Sequence, residues 1–182
     1  MLTSLDSALT AASLDLLTLD EPLPTEICHR LLRFPLGSQD SVLLPLEQIA
    51  EIFRVNIADI LPVPDMPDCV LGICNWRGEM LWLIDLNHLV NCLPLSSLEP
   101  VLISPMAMVV QANDQSLGLV VQQVNDIELH NLDQLQPAAP GLFSPGLMPF
   151  VRGSLPKGTG TVLDVTAITE SPLWQKHRGG VS

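Results

Sequence analysis

The segment CVLGICNWRGEMLWLIDL, from Cys69 to Leu86, holds an Asn-Trp-Arg-Gly turn between two apolar runs. Gly72 and Gly78 stand on either side of the turn, and glycine suits a tight corner or a bulge because it can adopt positive φ. The run from Met80 to Ile84 is apolar throughout, which is typical of a short strand covered on both faces. The segment therefore predicts two strands joined by a rigid turn that displays one arginine, Arg77.

Short apolar segments with frequent turns continue along the rest of the chain. Sixteen prolines and eleven glycines interrupt it, and long helical periodicity is absent. A polar turn at residues 113–116 separates two apolar runs, which is a hairpin signature. Asp85 follows an apolar run and is expected to cap a short helical turn. The pattern predicts an all-β fold of small barrels or a sandwich, with short helices. The predicted strands cover residues 42–46, 49–54, 70–74, 80–84, 107–112, 117–128, 150–153 and 161–165.

The sequence also contains an approximate internal repeat. Gly72, Gly78 and Asp85 have looser counterparts later in the chain, in Gly153, Gly158 and Asp164. Two copies of one unit predict two barrels with a groove at their seam. Chance similarity of apolar patterns is the alternative, because the second glycine turn is degenerate. One constant shift aligns Gln48, Ile49, Glu51, Ile52, Asn56, Ile57, Ile60 and Pro62 with Gln123, Val124, Asp126, Ile127, Asn131, Leu132, Leu135 and Pro137.

Composition and charge exclude several classes of protein. Hydrophobic residues make up 47% of the 182-residue chain and charged residues 15%, which favours a folded body over disorder. Eight Lys and Arg against 20 Asp and Glu give a net charge of −12, and no basic run occurs. This balance argues against nucleic acid and an anionic membrane surface as partners. No apolar run approaches the ~18 residues that span a bilayer, and no secretory signal is visible, so a cytoplasmic location without membrane insertion is expected.

The chain divides into three parts. Residues 1–25 are predicted to be a flexible extension, although Leu5, Leu9, Leu16 and Leu19 could line one face of a marginal helix. Residues 26–170 form the predicted body, with one barrel over about 26–100 and the second over about 101–170. Residues 171–182 form a C-terminal tail.

The turn supplies the candidate binding residues. Arg77 either points outward, where its planar guanidinium suits a carboxylate or a backbone carbonyl, or folds back onto its own turn. Trp76 could anchor a partner, since aromatic side chains are frequent at interface centres. Trp82 is expected in the core. Glu51 is a lone acid, which becomes interesting if its strand borders the Arg77 turn.

A small metal- or ligand-binding β-barrel is the alternative function. It would use Cys69, Cys74, His88 and Cys92, with the last two spaced to face one ion from a helix. Dispersed cysteines in apolar segments favour thiols without metal instead. No nucleophile elbow, phosphate-binding loop or HExxH pattern appears, so the sequence predicts neither enzymatic chemistry nor a cofactor.

Four segments carry a family resemblance. GICNWRGEMLWLIDL resembles the signature strand, turn and strand of the CheW family of bacterial chemotaxis coupling proteins. PLEQIAEIF resembles a strand of the family's first barrel, and AMVVQANDQSLGLVVQQVNDIELHNLDQLQPAAP its second-barrel hairpin and the segment after it. FVRGSLPKGTGTVLDV resembles the closing strand pair. The resemblance covers about residues 30–170.

The resemblance implies two five-stranded SH3-like barrels around a shared hydrophobic core. Proteins of this family are not enzymes and bind no cofactor. They couple the cytoplasmic tips of methyl-accepting chemoreceptors to the regulatory domain of a CheA-type histidine kinase, in two-component pathways that control motility. The family's receptor-binding groove maps here onto Ile49, Glu51, Gly72, Asn75, Arg77, Gly78 and Gly118, and Trp76 joins this set as the residue before Arg77.

The sequence departs from the family pattern at several positions. Pro45 stands in a hairpin that usually carries a glycine and an acidic residue. Trp76 replaces a common leucine, Trp82 a common proline, and Asn87 and His88 replace basic residues. This divergence suggests a paralogous pathway, such as pilus-driven movement or phototaxis.

Overall fold

The computed structural model of the protein describes residues 27–37, 40–98, 105–139, 141 and 143–174. The predictions for residues 1–25 therefore lie outside the described part. The described residues form ten strands, two short α-helices and several 3-10 turns. The elements are β1 (Cys28–Leu36), β2 (Asp40–Pro45), β3 (Ile49–Arg54), β4 (Val70–Trp76), β5 (Glu79–Asp85), α1 (Leu86–Leu89), β6 (Met106–Ala112), β7 (Gln115–Val121), β8 (Ile127–Asn131), β9 (Val151–Ser154), β10 (Thr161–Leu163) and α2 (Val165–Thr169).

The strands form two five-stranded sheets, which confirms the predicted all-β fold. One sheet has the order β8-β1-β2-β10-β9 and the other the order β3-β6-β7-β5-β4. We call the first the terminal barrel, since it uses both ends of the described chain, and the second the central barrel. Among the described residues, no continuous ladder closes either barrel. A single bridge joins the segment after β3 to β4, between Leu61 and Ile73, and another joins Gln136 to Ser154.

The strand order shows the same arrangement in both halves of the chain. It differs from the prediction that each half forms one barrel. Strands β1 to β5 and strands β6 to β10 are successive units, but each unit gives its hairpin to one sheet and its last three strands to the other. The barrels therefore comprise residues 28–45 with 127–163, and residues 49–121, instead of 26–100 and 101–170. The reason is that apolar periodicity fixes which face of a strand is buried and does not fix which strand lies beside it.

Equivalent residues make equivalent contacts in the two units. The side chain of Asn56 accepts a hydrogen bond from the backbone of a following 3-10 turn, and Asn131, its counterpart in the repeat, does the same. Asp85 caps α1 through the N–H of His88, and Asp164 caps α2 in the same way. The local structure thus follows the sequence repeat residue by residue.

Three apolar clusters hold the two sheets together. Leu81, Leu83 and Val109 belong to a cluster inside the central barrel, and Leu31 and Leu43 to one inside the terminal barrel. The largest cluster, which we call the shared core, lies between the barrels. It includes Phe34, Leu36, Met108, Leu119 and Trp174, and Trp82 packs against it as predicted.

Replacing Asp85 with alanine is expected to cost about 3 kcal/mol of unfolding free energy. Its carboxylate is 1% exposed and accepts hydrogen bonds from the N–H groups of His88, at 3.2 Å, and Leu95, at 2.7 Å. Desolvation raises the pKa of this carboxyl group. Removal leaves buried donors unsatisfied, at about 1–3 kcal/mol each. Urea unfolding measures the loss. The control is Asp164→Ala, which removes a less buried cap and should cost about 1 kcal/mol of unfolding free energy. Equal losses in the two variants would show that the burial of Asp85 does not determine the effect.

A charged cluster ties three parts of the terminal barrel together. The Arg33 guanidinium bonds both oxygens of the Glu128 carboxylate, with Nη2 at 2.9 Å from Oε2, and the same Oε2 lies 2.7 Å from Nε2 of His130. Nη1 of Arg33 also donates to Ser41 Oγ and to the carbonyl of Thr159. Two hydrogen bonds lower the pKa of Glu128 to about 2. The bond from Arg33 has the larger effect and the bond from His130 the smaller.

This cluster predicts a loss of stability in acid. The pKa of Glu128 is lower in the folded protein than its usual value of 4.5, so its contribution is complete above that value and disappears as the pH falls from about 4.5 to about 2. Urea unfolding at pH 6, 4 and 3 checks this for the wild type and for Glu128→Gln. The variant should be less stable at pH 6, by about 1–2 kcal/mol, and the difference should narrow at pH 3. A difference that is constant across this range would refute the assignment.

Candidate functional site

The turn between β4 and β5 is a two-residue hairpin connection. Trp76 pairs with Glu79, and the two residues between them, Arg77 and Gly78, have φ values of 52° and 86°. This geometry matches the right-handed twist of the flanking strands. The Asn75 side chain accepts a hydrogen bond from the N–H of Gly78 at 3.1 Å, which fixes the turn further. The backbone therefore holds Arg77 at the tip, as the sequence predicts.

Three side chains meet beside this turn. Oε2 of Glu51 accepts hydrogen bonds from Nε1 of Trp76, at 2.8 Å, and from Nε of Arg77, at 3.0 Å. Nη2 of Arg77 lies at 3.0 Å from the same oxygen, and its guanidinium carbon lies 5.0 Å from the centre of the Trp76 ring. We call these three residues the arginine cluster. The charge of Arg77 is thus balanced by one carboxylate and oriented by one aromatic ring.

Arg77 combines features of both predicted alternatives, because it bonds to a neighbour and still faces solvent. Its side chain is 64% exposed and that of Glu51 is 37% exposed. A guanidinium carries five N–H donors, and the contact with Glu51 engages two of its nitrogens. Within the described part of the chain, at least two donors on Nη1 remain for another molecule. The cluster therefore presents an oriented cation with free hydrogen-bonding capacity.

Strand order explains why Glu51, on an earlier strand, reaches this turn. Glu51 lies on β3 and Arg77 follows β4, and these are the two end strands of the central sheet. A register shift between Ile49 and Glu51 marks a bulge, which changes the direction in which the strand presents its side chains. The Glu51 carboxylate consequently spans the opening between the end strands and connects them at the turn.

The other predicted groove residues are wholly or partly buried. Ile49 is half-buried against the shared core. Gly72 is buried, and a Cβ atom on it would lie 2.2 Å from the carbonyl oxygen of Leu61. Gly118 is also buried, against the side chain of Leu83. The structure thus brings Glu51, Asn75, Trp76, Arg77 and Gly78 together at the turn, whereas Ile49 is half-buried and Gly72 and Gly118 are buried.

One exposed residue beside the cluster was missed by the sequence interpretation. Met80 pairs with Asn75 across the hairpin and is 78% exposed. The prediction that residues 80–84 form a strand covered on both faces is therefore wrong at Met80. The position next to a two-residue turn is a signal of exposure, because strand ends at hairpin tips reach beyond the covering sheet. Met80 adds an exposed, adaptable apolar side chain next to the turn, on the face of the hairpin opposite to Trp76.

The described residues do not bring the alternative metal ligands together. Cys69 is buried in the shared core, and Nδ1 of His88 lies 3.0 Å from the carbonyl oxygen of Asp68. Helix α1 ends at Leu89, so it does not extend to Cys92. In the whole of the described part of the chain, no group of three or more His, Cys, Asp or Glu side chains is placed so that it could hold a metal ion. Nor does the described chain contain a helix of the length and apolarity that crossing a membrane requires.

A second surface feature is an apolar cleft of about 290 Å³ in the central barrel. Its walls come from the ends of β3 and β7, the start of β4 and the 3-10 turns after β3 and α1. Ile57 at the cleft is 71% exposed. None of the residues of the arginine cluster lines this cleft, so the two features are separate surfaces. The walls include Val55, Ile57, Ile60, Leu71, Leu95 and Val120.

Comparisons with known proteins agree with this architecture. The family model described as a CheW-like domain matches residues 30–172. Among solved structures, that of the scaffolding protein TtCheW from Thermoanaerobacter tengcongensis superposes with a TM-score of 0.61 at 20% sequence identity. The superposition covers 75% of this chain and 88% of the other, and at this identity it shows a common fold. No curated protein matches the sequence.

Proposed function

Because the chain belongs to the CheW-like domain family, we propose that it is a non-enzymatic adaptor, which couples chemoreceptors to a CheA-type histidine kinase. The family match over residues 30–172 supports the adaptor role. The partners are the cytoplasmic tips of methyl-accepting receptors and the regulatory domain of the kinase, which places the adaptor in the cytoplasm. The pathway is chemotaxis-like and controls movement by chemotaxis, phototaxis or twitching.

The arginine cluster is the proposed receptor contact. The observation that carries this assignment is the exposed Arg77 guanidinium, held by Glu51 and the Trp76 ring before any partner binds. An arginine held in this way loses less conformational freedom on binding than a free side chain would. Its remaining donors suit carboxylates or backbone carbonyls at the end of a helical receptor hairpin. The Trp76 ring supplies apolar contact beside it.

The apolar cleft of the central barrel is the proposed kinase contact. An adaptor must bind two partners at once, and the cleft shares no lining residue with the arginine cluster. Its exposed Ile57 offers apolar surface that a related barrel could cover. Both contacts therefore lie on one barrel without competing for the same side chains.

A ternary binding assay tests the proposal. Purified full-length protein is mixed with a receptor tip fragment and with the regulatory domain of a CheA-type kinase from the same organism, singly and together, and analysed by size-exclusion chromatography with light scattering. We expect each partner to bind alone and all three to elute as one complex. Binding of neither partner would overturn the adaptor function, and mutual exclusion of the two would overturn the assignment of separate surfaces.

A further inference from the structure

The terminal barrel exposes an apolar face where residues 1–26 join it. Ile27, the first described residue, is 67% exposed. On the adjacent strand β8, Ile127 is 57% and Leu129 is 67% exposed, and alternate residues of a strand share one face. Leu129 pairs with Arg30 on β1, and the exposed Cys28 lies two residues before Arg30. We call this surface, with Ile127, Leu129, Cys28 and Arg30, the β8 face.

The central barrel does not expose apolar side chains at the two positions of β3 that correspond to Ile127 and Leu129. The counterparts of Ile127 and Leu129 under the repeat are Ile52 and Arg54 on β3. Ile52 is half-buried and packs against the shared core, and Arg54 is charged. The repeated fold therefore does not require exposed apolar side chains at these positions. Their exposure on the copy next to residues 1–26 leaves an apolar face that another segment could cover.

The sequence of residues 1–26 has the properties of a segment that covers such a face. Apolar residues recur at intervals of three and four, which places them on one side of an α-helix. We call them the leucine stripe, and they are Leu2, Leu5, Leu9, Ala12, Leu16, Leu19 and Leu23. Pro22 and Pro24 lie at its end, and they can end a helix and turn the chain toward Ile27.

The charge and the length of residues 1–26 also suit the β8 face. Residues 1–26 contain five acidic residues and no Lys or Arg, whereas the β8 face includes Arg30, whose side chain is 61% exposed and lies 4.0 Å from the Glu47 carboxylate. A helix from Leu5 to Leu19 would be about 22 Å long. Strand β8 has five residues and spans about 17 Å, so one such helix can cover it.

We propose that residues 5–19 form an amphipathic helix, and that its leucine stripe packs on the β8 face of the same molecule. Only residues 20–26 separate the proposed helix from Ile27, so the effective concentration of the segment at this face is high. Burial of leucines against Ile127 and Leu129 provides the driving force, and acidic residues at the edge of the helix lie near Arg30.

Alkylation of Cys28 in the full-length protein tests this arrangement, because this thiol lies on the β8 face. The rate of reaction with iodoacetamide is followed by mass spectrometry of the peptide that contains Cys28. In the wild type the helix should shield the thiol. The double substitution Leu16→Ser with Leu19→Ser removes two residues of the stripe and should accelerate the reaction by about tenfold, because it opens the covering segment.

Two leucines outside the stripe provide the matched control. Leu14 lies on the opposite side of the predicted helix and Leu17 lies well away from the stripe, so Leu14→Ser with Leu17→Ser lowers helix propensity to a similar extent without removing the contact. This control should retain the slow rate. Equal rates in the wild type and in the Leu16 and Leu19 variant would overturn the proposal.

A substitution on the barrel tests the other side of the contact. Leu129→Arg copies the residue that the central barrel carries at this position and should also accelerate alkylation by about tenfold, with an unchanged circular dichroism spectrum. Protection that disappears on dilution would assign the face to a second copy of the chain and overturn the intramolecular contact. Protection that appears only with added receptor fragment or kinase domain would equally overturn it. The outcome does not depend on the proposed adaptor function.

Discussion

Replacing Gly72 with alanine is expected to destabilise the protein by about 3 kcal/mol or more. Gly72 has φ 138°, a backbone conformation that residues with a side chain rarely adopt, and such strain costs about 1–3 kcal/mol. An added Cβ would also lie 2.2 Å from the carbonyl oxygen of Leu61. That carbonyl cannot move away easily, because Leu61 and Ile73 exchange two backbone hydrogen bonds of 2.8 and 2.9 Å. Strain and overlap therefore add at one position.

Chemical unfolding of Gly72→Ala and two control variants measures this effect. Gly78 also has positive φ, at 86°, but an added Cβ would meet nothing within 4 Å, so Gly78→Ala should cost about 1 kcal/mol from strain alone. Gly153 occupies the equivalent bridge in the terminal barrel, where the added atom would lie 2.9 Å from Gln136 oxygen. Its variant should show an intermediate loss. If Gly72→Ala costs no more than Gly78→Ala, the overlap with Leu61 is not what makes glycine necessary.

The family resemblance assigns Gly72 to a receptor-binding groove, but its burial gives it a different role. Because Gly72 is buried and lies against the segment after β3, its role is to let Leu61 approach β4. Weaker receptor binding by a Gly72 variant would then follow from the displaced strand and not from a lost contact. Gly118, which is buried against Leu83, fits the same description. Both glycines therefore allow close packing and offer no surface that a partner could contact.

Features that depend on neighbouring residues were predicted well from the sequence. The Arg77-Gly78 turn, the Asp85 cap and the hairpin at residues 113–116 all appear in the structure. Asn113 and Asp114 both have positive φ, as a two-residue hairpin turn requires. In each case the geometry follows from residue types a few positions apart, so a single segment contains the information.

Features that depend on distant partners were not predictable in this way. Strand β1 was missed because Arg33 and Pro35 interrupt its apolar pattern, and the main partner of Arg33, Glu128, lies far along the chain. The predicted strand over residues 117–128 is divided, since β7 ends at Val121 and β8 begins at Ile127. The connection contains no glycine or proline to mark the break. The exchange of strands between the barrels likewise has no local signal.

The candidate site also depends on a contact between residues that are distant in the sequence. The sequence identified Arg77 and its turn, but left open whether the arginine points outward or folds back. The contact with Glu51 decides this, and it depends on β3 and β4 being the end strands of one sheet. Trp76 is larger than the leucine common in the family, and its Nε1 donor adds a second hydrogen bond to the Glu51 carboxylate. The divergent residue therefore stabilises the position of the arginine.

Substitution of Arg77 by alanine should weaken binding of the receptor tip fragment by about tenfold to a hundredfold without reducing the stability of the fold. The side chain is 64% exposed and its ion pair with Glu51 is near the surface, so its loss should change the unfolding free energy by less than about 1 kcal/mol. Arginines at interface centres often contribute more to binding than to folding. Isothermal titration calorimetry and urea unfolding measure the two effects separately.

The repeat supplies a matched control for this variant. Lys157 is exposed, has φ 62° and precedes Gly158, as Arg77 precedes Gly78, so it is an equivalent basic residue on the terminal barrel. Lys157→Ala removes one positive charge from the corresponding connection of the terminal barrel, a 3-10 turn between β9 and β10, and should leave receptor affinity unchanged. Trp76→Phe keeps an aromatic ring and removes the bond to Glu51, so it should weaken binding by a smaller factor, about threefold, because Arg77 is then held less firmly. Equal losses from Arg77→Ala and Lys157→Ala would mean that net charge, and not the arginine cluster, governs receptor binding.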